Sequence, residues 1–164
     1  MIQKHHYNVA IIGGGISGTA LLYTLAKYTD IKDIALFEKY DDLSTLNSNA
    51  KGNSQTLHCG DIETNYTLEK AKITNRTASM VENYGLLYGY ENELMFKIPK
   101  MALGVGDEEV DFIKQRYEEF KDEFPYMQYW DKAKLAELEP ALLKGRDENI
   151  DIAAMGTDER WSAV

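Results

Sequence analysis

A glycine-rich hexapeptide, Gly13-Gly14-Gly15-Ile16-Ser17-Gly18, lies between two short apolar runs and limits the folds open to this chain. The run before it, Tyr7–Ile12, is typical of a buried strand because it is apolar and ends at glycine. Helix-forming residues fill Ile16–Lys27, and Asp33–Glu38 is a second apolar run. A strand, a helix and a strand within about thirty residues form a βαβ unit, whose two strands must be parallel. The chain therefore predicts an α/β fold.

The hexapeptide fits the pattern G-x-G-x-x-G, and its position in the βαβ unit predicts dinucleotide binding. Gly13 would permit the sharp turn, Gly15 would let the backbone approach a pyrophosphate, and Gly18 would let helix and strand pack closely. The pyrophosphate would lie at the helix N-terminus, where free N–H groups favour an anion. Glu38 follows Gly18 by twenty residues and ends the second strand, where it would accept hydrogen bonds from ribose hydroxyls. This joint spacing disfavours a purely structural glycine turn.

Composition excludes several classes of protein. The chain has 164 residues, 27 acidic and 18 basic side chains and a net charge of −9, which disfavours broad binding of nucleic acid. A single cysteine, Cys59, cannot form an internal disulfide, so a reducing cytoplasm is the natural setting. Tyr7–Ala26 carries no charge, but its glycine-rich centre would be costly in a bilayer. No cluster has metal-ligand spacing, and no metal site is expected.

The segment from Lys39 to Tyr66 is rich in Ser, Asn, Thr and Gly and has few periodic apolar residues. A loop of this length in a compact domain is usually functional. Its polar side chains would line a flavin or its pyrophosphate, or the segment is simply a solvated loop. A simple nicotinamide domain would instead continue with another crossover helix and strand.

The second half of the chain predicts a mixture of helices and extended segments. Asp107 is placed to cap a helix whose apolar residues recur at helical spacing up to Pro125. The aromatic segment Phe124–Trp130 is best interpreted as a packed turn, since aromatic side chains chiefly bury area. The other predicted elements are a helix from the N-cap Thr67 to about Tyr84 with Gly85 as its stop, an extended Met95–Val105, a short helix Lys132–Glu139, a strand Ile150–Met155 and a helix beginning at the last residues.

Three segments resemble the FAD-dependent oxidoreductases of the D-amino-acid oxidase superfamily. They are Val9–Gly18 with Glu38, the pattern Asn53-Ser54-x-x-x-His58-x-Gly60, and Leu135–Leu142. The fuller runs Asn53–Thr67 and Lys100–Glu109 are similar to the short bacterial malate:quinone oxidoreductases. The resemblance extends over essentially the whole chain, although L-2-hydroxyglutarate oxidases share the Asn-Ser-x-x-x-His-x-Gly pattern.

This resemblance implies a Rossmann-like FAD-binding βαβ unit with part of an α+β substrate-binding domain, incomplete in this chain. It implies oxidation of a 2-hydroxy dicarboxylate, malate to oxaloacetate, with hydride transfer to FAD and electrons passed to a membrane quinone. His58 is the candidate catalytic base, because histidine titrates near neutrality. The alternatives are that it only hydrogen-bonds the loop, or that it touches or is linked to the flavin ring. The expected cofactor-binding residues are Gly13, Gly15, Ile16, Ser17, Gly18, Glu38, Lys39, Asn53, Ser54 and Gln55.

Other expectations follow from what the chain lacks. None of its four arginines lies in a recognisable substrate motif, so we expect the substrate arginines outside it. We expect residues 1–75 to be the N-terminal part of an FAD domain and residues 76–164 to lead into a substrate domain. The chain is then a portion of a larger enzyme, inactive alone, and that enzyme is cytoplasmic or peripheral on the cytoplasmic face of the inner membrane. The alternatives are an L-2-hydroxyglutarate oxidase, a non-catalytic nucleotide-binding fragment and an NAD-binding module.

Overall fold

In the computed structural model, which describes residues 5–158 and 160–163, the chain forms two compact units that divide after Gln55. The first unit contains strand β1 (Val9–Ile12), helix α1 (Ile16–Tyr28) and strand β2 (Ile34–Phe37). The two strands are parallel, and Val9 pairs with Ile34. The predicted βαβ unit and the α/β fold class are confirmed.

The segment between β2 and the end of the first unit contains turns and bends and no helix or strand. The Asn53 side chain forms hydrogen bonds with backbone groups of the same segment. The Asn53 amide donates to the carbonyl oxygens of Asn47 and Asn49 over 3.2 and 2.8 Å, and the Asn53 side-chain oxygen accepts from Gln55 N–H at 2.7 Å. The end of this segment is therefore held by hydrogen bonds between its own side chains and backbone.

The second unit is an α+β arrangement around an antiparallel sheet. Its three-stranded sheet places Ile152–Thr157 between Lys100–Val105 and Gln128–Trp130, and Phe96–Lys97 pairs separately with Trp161–Ala163, also antiparallel. The elements are α2 (Leu68–Tyr88), β3 (Phe96–Lys97), β4 (Lys100–Val105), α3 (Asp107–Phe120), β5 (Gln128–Trp130), α4 (Lys132–Leu138), a 3-10 turn (Pro140–Leu142), β6 (Ile152–Thr157) and β7 (Trp161–Ala163).

The core of the second unit lies where α3 packs on the sheet. Ile113, Phe120 and Phe124 come from the apolar stripe of α3 and the turn after it, and they bury against Met155 of β6. Trp130 ends β5 and is also buried, so the aromatic segment is packed as predicted, but its last three residues form a strand rather than a turn. Burying such large side chains is the main stabilising contribution available to a unit of this size.

Helix α2 corrects one predicted boundary. Thr67 is its N-cap as predicted, and its hydroxyl accepts from Lys70 N–H at 3.2 Å. Gly85 does not end the helix, because α2 continues to Tyr88 and Gly89 takes the left-handed conformation at φ 72°. Gly85 is instead buried inside the helix, where the Met95 side chain would collide with a Cβ.

Three further predictions were wrong in detail. Asp107 is the first residue of α3 rather than its cap, since Gly106 is the N-cap with φ 84° and makes no side-chain cap. The helix ends at Phe120, and the chain turns before Pro125. The last described residues form strand β7 rather than a helix, because they pair with β3.

The predicted domain boundary between residues 75 and 76 falls inside α2. It refers to the domains of a longer protein and stays a prediction. Within residues 5–158 and 160–163, no helix combines the length and the apolar character needed to cross a bilayer.

Candidate functional site

A groove of about 570 Å³ opens in the first unit, where β1 and β2 end and α1 begins. Because the strands are parallel, their carboxyl ends meet at one edge, which is the usual position of ligands in open α/β sheets. The Gly13 N–H donates to the Phe37 carbonyl at 2.8 Å and joins the two strand ends. The lining residues are Ile12, Gly13, Gly15, Ile16, Ser17, Gly18, Phe37, Glu38, Lys39, Tyr40 and Ser44, Thr45, Leu46, Asn47, Ser48.

The glycines produce a tight turn at the floor of this groove. Gly13 has φ 104°, a conformation that residues with a side chain rarely adopt. At Gly18 a Cβ would overlap the carbonyl oxygen of Gly13, so α1 approaches the end of β1 as closely as the backbone permits. The turn and the close packing are therefore the local reasons for two of the three motif glycines.

The N-terminus of α1 faces the groove, and no acidic residue of the helix itself lies there. Gly15 is the N-cap and provides no side-chain cap, and the first turn has no acidic residue. The Ile16 N–H, which has no partner within the helix, donates to the Ser48 hydroxyl at 2.9 Å. The group that meets the helix start at this amide is therefore neutral. The positive end of the helix dipole is thus available to an anion.

Glu38 lies across the turn and is held by three backbone amides. Its carboxylate accepts from Gly14 N–H at 2.6 Å, from Lys39 N–H at 2.7 Å and from Tyr40 N–H at 3.1 Å. The hydrogen bonds from Gly14 and Tyr40 hold the pKa of this carboxyl below its usual range. Glu38 is therefore a fixed anionic acceptor, and its remaining lone pairs suit hydroxyl donors such as those of a ribose.

Apolar side chains flank these polar groups. Ile12 and Ile16 line the groove and are 82% and 69% exposed, and Phe37 is also exposed. Such surfaces at a concave site favour contact with a flat ring system. An anion-binding helix start, an acidic acceptor and apolar walls together fit a dinucleotide such as FAD.

The structure gathers seven of the ten predicted cofactor residues at this groove. Gly13, Gly15, Ile16, Ser17, Gly18, Glu38 and Lys39 line it, whereas Asn53, Ser54 and Gln55 do not. Their assignment to the cofactor stays a prediction in every case. Ser48 lies in the polar loop expected near the cofactor, but its contact with α1 was not predicted, because no local pattern indicates contact with a helix 32 residues earlier.

His58 belongs to the second unit, in the loop between residues 56 and 67. Its side chain is 60% exposed, and its Nδ1 lies 3.0 Å from Oε1 of Glu63. The neighbouring Cys59 is fully buried, and burial raises the pKa of its thiol. A buried, protonated thiol is unreactive.

Two of the four arginines are used inside the second unit. Arg116 donates to the carbonyl oxygens of Glu63 and Tyr66, and Arg160 contacts Glu82 at 3.1 Å and Asn75 at 2.7 Å. These two guanidinium groups already bind partners within the second unit, so we do not assign them to substrate binding. Within the described ranges 5–158 and 160–163, no group of three His, Cys, Asp or Glu side chains is arranged to hold a metal ion.

Comparison with known proteins shows that this chain is similar to one protein family over most of its length. The family described as malate:quinone oxidoreductase (Mqo) matches residues 5–162. A probable malate:quinone oxidoreductase from Campylobacter jejuni is 53% identical over 161 residues, which cover 96% of this chain and 36% of the relative. The malate:quinone oxidoreductase of Helicobacter pylori strain 26695 is 45% identical over the same share of each chain. The chain thus spans about a third of the length of these curated relatives.

Solved structures confirm the fold. Glycine oxidase from Geobacillus kaustophilus superposes with a TM-score of 0.71 and 21% identity, covering 98% of this chain and 41% of that one. Glycine oxidase from Bacillus cereus gives a TM-score of 0.63 and 18% identity, covering 97% of this chain and 40% of that one. At this level of identity the likeness concerns the fold alone.

Proposed function

Because the chain belongs to the malate:quinone oxidoreductase family, we propose that it is part of an FAD-dependent enzyme that oxidises malate to oxaloacetate and reduces a quinone. The family match over residues 5–162 carries this proposal. The groove supports it independently, since its residues have the charge, the free amides and the apolar walls that FAD requires. We assign the whole reaction to a full-length protein, because this chain spans about a third of the length of its curated relatives.

In the first unit, we assign binding and orientation of the cofactor. The amides at the start of α1 would hold the diphosphate, with Gly15 allowing close approach. Glu38 would accept the ribose hydroxyls, because it is charged and already fixed by backbone amides. When bound, FAD supplies the acceptor for the hydride from C2 of malate.

In the second unit, we assign proton transfer to His58. Loss of the C2 hydride requires removal of the proton on the malate hydroxyl, and an accessible imidazole is suited to take it. His58 is exposed and held by a carboxylate, which supports this role. The two malate carboxylates would pair with basic residues supplied by the rest of the protein, because Arg116 and Arg160 have partners of their own.

Quinones are dissolved in the lipid of the membrane, so electron delivery requires contact with it. We propose that the full-length enzyme associates peripherally with the cytoplasmic face of the membrane. Binding of intact enzyme to quinone-containing vesicles, measured by sedimentation, tests this part.

A substrate panel on the purified full-length protein tests the reaction. We expect flavin absorbance in the pure protein and reduction of a quinone analogue with malate, and much slower reduction with L-2-hydroxyglutarate or glycine. Glycine serves as the matched control, because the shared fold alone would favour it equally. A colourless protein that binds NADH would overturn the proposal, and preferential turnover of L-2-hydroxyglutarate would correct the substrate.

A further inference from the structure

A histidine and a carboxylate face each other in the loop that begins the second unit. His58 Nδ1 and Glu63 Oε1 are 3.0 Å apart, a normal hydrogen-bond length. We propose that Glu63 is a positioning residue, which keeps the His58 proton on Nδ1 and leaves Nε2 as the acceptor of the substrate hydroxyl proton. This inference rests on the proposed function, in which His58 is the base.

The side chains of His58 and Glu63 differ in burial, and this difference fits different roles. The Glu63 side chain is 13% exposed, whereas that of His58 is 60% exposed. A pair at the surface would be mobile and worth little, but a carboxylate withdrawn from water binds its partner more firmly. The imidazole therefore presents its outer nitrogen to solvent while its inner nitrogen is held from behind.

Glu63 has few other ways to satisfy its charge. Its second oxygen, Oε2, is buried and makes no hydrogen bond to any residue in the described parts of the chain. A buried carboxylate needs donors and positive charge, so the imidazole N–H, together with the charge of the nearby Arg116, offsets its loss of water. The same need fixes the tautomer, because only a protonated Nδ1 can donate to Glu63.

The backbone around Glu63 is anchored independently of its side chain. Arg116 on α3 is buried, and its guanidinium donates to the carbonyl oxygens of Glu63 at 2.6 Å and Tyr66 at 2.7 Å. On the other side, the buried Asp61 accepts from Lys100 at 2.8 Å and from Tyr126 at 3.2 Å. The carboxylate is thus placed by the fold rather than by its contact with His58.

This arrangement defines what each atom does during oxidation. The malate hydroxyl proton passes to Nε2 of His58 as the carbon–oxygen bond becomes a carbonyl, and FAD, when bound, would supply the acceptor for the C2 hydrogen and its two electrons. His58 then carries a positive charge beside the Glu63 carboxylate, which stabilises it without taking the proton. Glu63 therefore acts only through His58 and touches no reacting atom.

The first experiment reads the tautomer directly. Full-length protein with ¹⁵N-labelled histidine is examined by long-range ¹H–¹⁵N correlation at a pH where the imidazole is neutral, and the His58 signals are assigned from His58→Asn. We expect the proton on Nδ1 in wild type and in the control Glu69→Gln, which changes an exposed acid at the start of α2. In Glu63→Leu we expect the proton to move largely to Nε2. An unchanged tautomer would overturn the inference whatever the substrate is.

The second experiment is a double-mutant cycle on flavin reduction by malate, followed by stopped flow. Glu63→Gln keeps the shape of the side chain and removes its charge, and we expect flavin reduction to slow by about 10- to 100-fold with little change in malate KM. Glu63→Asp, which restores the charge, should recover part of the rate. In a His58→Asn background, Glu63→Gln should cause no further loss, because Glu63 acts through the imidazole.

The outcomes separate the two proposals. Additive losses in the cycle would mean that Glu63 acts independently, which overturns this inference and leaves malate oxidation standing. Full activity of His58→Asn would remove the base and overturn the catalytic role of both residues. Absence of malate turnover in wild type would refute the proposed substrate, and the tautomer measurement would then decide the Glu63–His58 contact by itself.

Discussion

Gly18→Ala and Gly15→Ala should have opposite consequences, although both add one methyl group at the start of α1. At Gly18 the new Cβ would overlap the Gly13 carbonyl oxygen and lie 3.1 Å from its carbon and 3.4 Å from Ile11 Cγ2. At Gly15 the nearest atom is the Ser48 hydroxyl at 3.2 Å. A hydroxyl on a rotatable side chain can move away, whereas a backbone carbonyl that ends a strand cannot.

Two opposing contributions set the change in the free energy of unfolding that we expect for Gly18→Ala. Overpacking costs about 1–3 kcal/mol, and an immovable backbone atom places this site near the upper end. Alanine in a helix gains up to about 1 kcal/mol over glycine. The net loss of stability is then about 2 kcal/mol. This corresponds to a roughly 30-fold shift of the equilibrium toward the form in which β1 and α1 are locally unfolded. Gly15 has φ −78°, which alanine adopts freely, so its variant should change stability by less than about 0.5 kcal/mol.

Native-state hydrogen exchange on the FAD-free full-length protein is the direct assay. Amides of β1 and α1 should exchange roughly 30-fold faster in Gly18→Ala and at the wild-type rate in Gly15→Ala. FAD titration should then show the complementary effect, with weakened affinity in Gly15→Ala, because its methyl group would stand between the backbone and the diphosphate. Equal protection of Gly18→Ala and wild type would refute the packing argument.

Two further predictions concern titratable groups. Because the folded pKa of Glu38 is lowered, its contribution to stability is present above the unfolded pKa and is lost as pH falls through the folded value. Urea unfolding from pH 7 to pH 3 should therefore show Glu38→Gln less stable than wild type at neutral pH and equal to it in acid. A difference that is constant with pH would contradict this, and weaker FAD retention in Glu38→Gln would support its contact with ribose. Cys59 is fully buried with a raised thiol pKa, so a disulfide reagent should label it slowly in the folded protein and rapidly in denaturant. Rapid labelling of the native protein would show that the surrounding loop opens.

Sequence reasoning succeeded where the determinants are local. The apolar run, the glycines and the next apolar run lie within thirty residues, and their chemistry leaves one plausible arrangement, which the parallel pairing of Val9 with Ile34 confirms. Thr67 was identified as an N-cap for the same reason, since its hydroxyl reaches an amide only three residues away.

Errors arose where a distant contact decided the outcome. Gly85 has the character of a helix stop, but the packing of Met95 against it makes a side chain impossible and keeps the glycine inside α2. The residues from Trp161 to Ala163 form a strand because β3 offers them an edge, and no short-range pattern indicates that partner. Element type at such places depends on the neighbour rather than on the residues themselves.

The candidate site divides in the same way. The sequence by itself determined the βαβ unit, the glycine turn and the acidic residue after the second strand, because backbone sterics and hydrogen-bonding range act within a few residues. Only the tertiary structure decided that Ser48 meets the start of α1, that Glu63 faces His58 and that Arg116 anchors the backbone at Glu63 and Tyr66. Those contacts join residues that are far apart in sequence or that lie in one irregular loop. The distances between their atoms therefore depend on how the chain packs.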